Sequence, residues 1–168
     1  MGTESFNNEL LKNGVLITTE PEEDVFGVVI SNDTELTFKK LNDVCILLKR
    51  DVQYIATNPD WVCPTWYGYV PDCGSFADII RRATGKMPTF IGKPNPDMLL
   101  LAMEKYGYTK DETLMIGDRV YTDIASGYNA GVDTVFVLSG EGTVEDAEKS
   151  ETKPTYIMKN IREVYNNI

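Results

Sequence analysis

The residues best suited to chemistry lie in the second half of the chain. In "LMIGDRVYTDIASG" (Leu114–Gly127) an apolar run, Thr113–Ile116, ends at Gly117 and is followed by Asp118, with a second acid at Asp123. Either acid alone reads as a turn or N-cap residue. Together, at the tip of a buried strand and in the first turns of the next helix, they can share one crevice. Carboxylate oxygens in a water-accessible crevice suit Mg²⁺, which takes one or two protein carboxylates, keeps several waters and binds substrate phosphate. Lys93 in "IGKPNPD" is the matching cation. An isolated lysine is ordinarily a solvated surface charge. This one sits between Gly92 and Pro94, ahead of a helix start at Asn95-Pro96, where an anion is already favoured. An ammonium about 4 Å from a phosphate oxygen gains roughly 4 kcal/mol at an effective dielectric of about 20.

Composition narrows the chemistry. The 168 residues contain no histidine, which removes Ser-His and Cys-His schemes and imidazole metal sites. A formal charge of −10 leaves no basic face for nucleic acid. No run approaches a membrane span and the first residues lack a signal-peptide layout. Cys45, Cys63 and Cys73 form no C-x-x-C pair and read as free thiols. The expectation is therefore a cytoplasmic protein without nucleic-acid or membrane partners.

The elements that must position these residues alternate. Strands are expected at Val15–Thr18, Phe26–Ser31, Tyr54–Thr57, Thr113–Ile116, Thr134–Leu138 and Thr155–Met158, with a short extended piece at Met87–Ile91. Helices are expected at Thr34–Arg50, Ser75–Thr84 (stopped by Gly85), Asn95–Tyr106, Tyr121–Asn129, Val144–Lys149 and Ile161–Tyr165. Alternation of this kind implies an α/β fold with a parallel sheet, whose ligands bind at the carboxyl ends of strands. Between Asn58-Pro59-Asp60 and Asp72 lies a segment rich in Trp, Tyr, Pro and Cys. It reads as a loop in which Trp61, Cys63 and Trp66 either pack locally or contact a substrate.

"IGKPNPDMLLLAMEKYG" followed by "LMIGDRVYTDIASGYNAGVDTVFVLSG" resembles the haloacid dehalogenase-like phosphatases, and "YIATNPD" resembles their nitrophenylphosphatase and NagD-like branch. The three segments stand in that family's order over nearly the whole chain. The resemblance implies a Rossmannoid parallel-sheet core, incomplete here, with an α/β cap: residues 1–87 as the cap and 88–168 as the C-terminal half of the core. It implies that Lys93 steadies a phosphate and the attacking aspartate, that Asp118 ligates Mg²⁺, and that Asp123 supports the metal shell and the lysine. It also implies that Asn58 and the residues after it, Asp60, Trp61 and Cys63, belong to the substrate-choosing cap element.

The family's nucleophile lies in an Asp-x-Asp-Gly motif, and no Asp-x-Asp occurs in this sequence. The resemblance thus implies a Mg²⁺-dependent phosphate monoester hydrolase acting on a small phosphorylated metabolite, represented here by its cap and C-terminal core, truncated and inactive alone. Weak Mg²⁺ binding is expected with it, as is a homodimer through the cap or an uncovered sheet edge. The competing reading is a non-catalytic relative that binds a phosphorylated ligand or a partner. A generic nucleotide binder has no G-x-G-x-x-G or P-loop to support it.

Overall fold

The computed structural model describes residues 1–167, and the chain divides into two compact units, the first Met1–Ile91 and the second beginning at Gly92. In the first, strands β1 (Gly27–Ile30), β2 (Gln53–Ala56) and β5 (Thr89–Phe90) form a parallel sheet in the order β1-β2-β5. Val28 pairs with Tyr54 and Ala56 with Phe90. The helices are α1 (Glu4–Lys12), α2 (Phe38–Leu47) and α3 (Cys73–Thr84). Val28, Ile30 and Ala56 pack with Val44, Leu48, Ala77 and Ile80 in one apolar core. Alternate strand positions thus meet helix positions spaced three and four apart. Asp72 caps α3 by accepting the Cys73 amide at 2.6 Å, and Gly85 closes it in the left-handed conformation at φ 75°.

The second unit carries a parallel sheet β6-β7-β8, made of Leu114–Gly117, Asp133–Val137 and Tyr156–Met158. Gly117 pairs with Phe136, and Val137 with Met158. Helices α4 (Asp97–Tyr106), α5 (Ala125–Ala130), α6 (Val144–Lys149) and α7 (Ile161–Asn167) complete it. Val120, Ile124, Phe136 and Ala147 form one apolar cluster, and Met103, Ala130 and Val132 another. Among the described residues β6 pairs only with β7, so its other edge is open within this sheet. No helix among the described residues is long and apolar enough to cross a membrane.

The α/β class and its parallel pairing agree with the sequence expectation; several elements do not. Val15–Thr18 is not a strand: no other segment among the described residues pairs with it, and Leu16 is 93% exposed. Local β-propensity without a ladder partner does not make a strand. The segment after Asp60 is not a loop but an antiparallel hairpin, β3 (Val62–Thr65) with β4 (Gly68–Pro71), turning at Trp66-Tyr67. Pro64 and Pro71 hide it, since proline normally argues against a strand; a two-stranded ribbon consists only of edges and tolerates both. Helix α1 is an addition, capped by Thr3, whose hydroxyl accepts the Phe6 amide at 3.2 Å. The Thr34–Arg50 helix is shorter than expected. It starts only after Thr37, because the buried Asp33 first takes the Glu35 amide at 2.9 Å and forms a turn.

Two acidic groups of the first core stay protonated by burial. The Cys73 thiol is fully buried and pushed above its ordinary 9.0, chiefly by loss of water. Burial likewise pushes the Tyr54 hydroxyl up, and that oxygen has no hydrogen-bond partner among the described residues. Raised native values mean the unfolded chain loses these protons first as pH climbs, so stability falls with rising pH. The first unit should hold its urea midpoint up to about pH 9 and lose it progressively above that. Urea titrations at about pH 8 and about pH 10, followed by circular dichroism, check this; Cys73→Ala should flatten part of the alkaline loss.

Candidate active site

Lys93, Asp118 and Asp123 all belong to the second unit. Lys93 lies on the stretch leading into α4. Asn95 holds that stretch: its side-chain oxygen accepts the Asp97 amide at 2.9 Å, and its carbonyl accepts the Ser126 hydroxyl at 3.2 Å. Asn129 donates to the Pro94 carbonyl at 3.0 Å. Two side chains of α5 thus hold Pro94 and Asn95. The N-cap of α4 is Pro96, one residue later than expected, and Asn95 works as a turn residue before it.

Asp118 and Asp123 frame the turn at the carboxyl end of β6. The chain between them is not an ordinary first helical turn. Val120–Ile124 is a π-turn, in which the Ile124 amide reaches back to the Arg119 carbonyl at 3.2 Å, and Ala125 starts the regular helix. The extra residue in the turn accompanies a carboxylate folded back on the loop. Asp123 Oδ2 accepts the backbone amides of Asp118 (3.2 Å) and Arg119 (3.1 Å). Its other oxygen, Oδ1, accepts Lys93 Nζ at 2.5 Å. The Asp123 side chain is 6% exposed against 42% for Lys93. A buried carboxylate therefore has one cation and two amides for partners, which is what a charge in a protein interior requires.

The chemical capacity of the site follows from what is already used. Asp123 is committed to the fold on both oxygens. The Lys93 ammonium has three donors, of which Asp123 takes one. The remainder suit an anion. Asp118 Oδ2 accepts the Glu141 amide at 2.8 Å, and Oδ1 has no hydrogen-bond donor among the described residues. Asp118 is thus the acid able to offer an oxygen to a cation. No group of three or more acidic, cysteine or histidine side chains among the described residues could hold a metal ion. A single carboxylate suits Mg²⁺ that keeps most of its waters and also binds phosphate, with weak affinity.

Two glycines make these approaches possible; motif reading noted Gly117 without this role and passed over Gly140. A Cβ on Gly117 would collide with the Asp123 side chain, and one on Gly140 with the Asp118 carboxylate. Gly140 and Gly142 flank Glu141 in the loop after β7, a Gly-x-Gly at a strand end that marks close backbone approach.

The other candidates lie in the first unit. Asn58 accepts the Asp60 amide at 2.9 Å, and the Asp60 carbonyl accepts the Gly74 amide at 2.8 Å. Both therefore shape the turn that leads into the hairpin. Trp61 is 62% exposed, and its carbonyl accepts the Asp72 amide at 3.0 Å and the Ser75 hydroxyl at 2.5 Å. Cys63 is half-buried on β3. Trp66 is 95% exposed at the hairpin turn, edge-on to Tyr67 with ring centroids 5.1 Å apart.

Known proteins share this sequence and this fold. Residues 90–164 match the family model described as HAD-hydrolase-like. An acid sugar phosphatase of Staphylococcus aureus (strain MRSA252) is 36% identical over 163 residues, covering 97% of this chain and 62% of the relative. The crystal structure of a 4-nitrophenylphosphatase from Thermotoga maritima is 41% identical with a TM-score of 0.90, covering 98% of this chain and 62% of that one. A glycerol phosphate phosphatase from Mycobacterium tuberculosis, crystallised in complex with magnesium, is 30% identical with a TM-score of 0.92, covering 97% of this chain and 50% of that one. Residues 90–164 thus match the haloacid dehalogenase-like family of hydrolases, and nearly the whole chain is similar to phosphatases. The chain spans about 62% of the length of the curated relatives it matches.

Gly117→Ala tests the packing of the site directly. Its methyl group must displace Asp123, so it should cost about 1–3 kcal/mol, as overpacking does. Chemical denaturation of the variant measures this. A loss below about 0.5 kcal/mol would mean that Asp123 is not seated against Gly117.

Proposed function

We propose that this chain carries the phosphate- and cation-holding part of a Mg²⁺-dependent phosphate monoester hydrolase. The observation that supports it most is the pinned Lys93: its ammonium is fixed by Asp123 at 2.5 Å yet keeps donors for an anion. In this reading Lys93 binds and orients a phosphoryl group, and Asp123 holds Lys93 and the Asp118 loop in register. Asp118 would be the chain's own ligand to Mg²⁺. The ion, when bound, supplies charge neutralisation and orientation of the phosphate. The names of the relatives, all phosphatases, point to the same substrate class, a small phosphorylated metabolite.

The proposal extends to organisation. The first unit, ending at Ile91 in the structure and near residue 87 by sequence, is read as the α/β cap. Its turn and hairpin, with Asn58, Asp60, Trp61 and Cys63, are read as the element that selects substrate. The second unit is read as the C-terminal part of the catalytic core. Covalent phosphoryl transfer requires a nucleophile in line with the leaving group, and these 168 residues contain no Asp-x-Asp. The chain by itself is therefore proposed to bind rather than turn over. That same absence favours a second reading, a relative that holds a phosphorylated ligand without hydrolysing it.

Calorimetric titration of the chain with inorganic phosphate, with and without Mg²⁺, should give a binding heat that Lys93→Ala removes. The expected loss is about tenfold or more in affinity, the scale of a charge-assisted contact. Equal heats for both proteins would exclude Lys93 from the phosphate site. The pure chain should leave p-nitrophenyl phosphate unhydrolysed above background. Robust Mg²⁺-dependent turnover would show that another residue attacks.

A further inference from the structure

The structure assigns a positioning role to the ion pair between Arg119 and Glu141: it latches the loop after β7 onto Asp118 and so fixes which carboxylate oxygen Asp118 presents. The assignment rests on the reading of Asp118 as a cation ligand. Its grounds are the hydrogen bonds around that residue. Glu141 donates its backbone amide to Asp118 Oδ2 at 2.8 Å, and Gly142 donates its amide to the Asp118 carbonyl at 2.9 Å. The loop thus grips both the side chain and the main chain of one residue. The fit leaves no slack: a Cβ at Gly140 would collide with the Asp118 carboxylate, and one at Gly142 would lie 2.6 Å from the Asp118 carbonyl oxygen.

The Glu141 side chain turns to the residue after Asp118. Arg119 Nε and a terminal guanidinium nitrogen meet Glu141 Oε2 at 2.8 and 2.6 Å, and Tyr121 OH lies 3.4 Å from Oε1. Glu141 therefore spans the pair Asp118-Arg119, with its amide on the acid and its carboxylate on the base. Such a surface pair adds little to stability, since Glu141 is 48% exposed. Its consequence is geometric. With Oδ2 held by the amide, Asp118 cannot rotate freely, and Oδ1 is the oxygen left for a cation.

A latch and a plain charge effect predict opposite signs. Removing the Arg119 cation beside a metal site should tighten cation binding if charge alone mattered, and weaken it if the pair positions Asp118. The test uses the full chain, with Mn²⁺ as the probe followed by electron paramagnetic resonance, and amide hydrogen exchange in the metal-free protein. Arg119→Met and Glu141→Ala should each speed exchange of the residue-141 amide about fivefold, after correction for intrinsic rates. Each should weaken Mn²⁺ binding about tenfold, as loss of a partner that orients a metal ligand does. The double variant Arg119→Glu with Glu141→Arg should bring both readouts back towards the parent. Unchanged exchange in the single variants, tighter Mn²⁺ binding in Arg119→Met, or no recovery in the double variant would overturn the latch. If the parent chain takes up no Mn²⁺, the cation reading of Asp118 fails instead. The latch then stands on accelerated exchange with recovery in the double variant, and falls without them.

Discussion

One buried carboxylate organises the second unit. Asp123 is almost wholly removed from water, and a charge so placed needs compensation at both oxygens. It finds Lys93 thirty positions earlier and the amides of Asp118 and Arg119 just before it. The first contact fixes the entry to α4, and the others fix the loop at the end of β6. Each structural oddity nearby is consistent with this demand. Gly117 has no side chain because Asp123 occupies that space, and the π-turn from Val120 to Ile124 precedes a regular helix that starts only at Ala125. The two groups proposed to hold a ligand, the spare donors of Lys93 and the Asp118 oxygen without a donor among the described residues, are thereby set on a common frame.

That frame joins structure to the proposed chemistry. A phosphate ester carries dispersed negative charge, and a protein gains most by presenting charges that need no rearrangement when the substrate arrives. Mobile surface lysines would have to be ordered on binding; in the proposed function a lysine already held by a buried acid would not. The division of labour between the acids follows from their surroundings rather than from their type. Asp123 is saturated and structural, whereas Asp118, with one oxygen on the Glu141 amide, retains coordinating capacity. The family-model match and the names of the relatives agree with phosphate chemistry, and the share of each relative that the chain covers leaves the complete reaction a proposal.

Much of this was legible in the residues. The alternation of apolar strands with periodic helices gave the parallel α/β class, and the grouping of Asp118 with Asp123 followed from their position at a strand tip. Lys93 was legible through its spacing from a helix start, and its partnership with Asp123 was legible only through the family resemblance, not through spacing. What stayed hidden depends on tertiary packing. The clash space around Gly117 and Gly140 exists only once Asp123 and Asp118 have folded back. The hairpin at Val62–Pro71 was masked by its prolines, which only a ribbon with two free edges accepts. Val15–Thr18 carried the propensity of a strand without a partner strand, and propensity alone does not create a ladder.

The account depends on Lys93 and Asp123 acting as a coupled pair, and a double-mutant cycle measures that coupling. Unfolding free energies of the parent chain, Lys93→Met, Asp123→Asn and the double variant should show an interaction of about 1–3 kcal/mol, the range found for partners in one charged network. Additivity within about 0.3 kcal/mol would contradict it, because two side chains that do not sense each other cannot hold the site together.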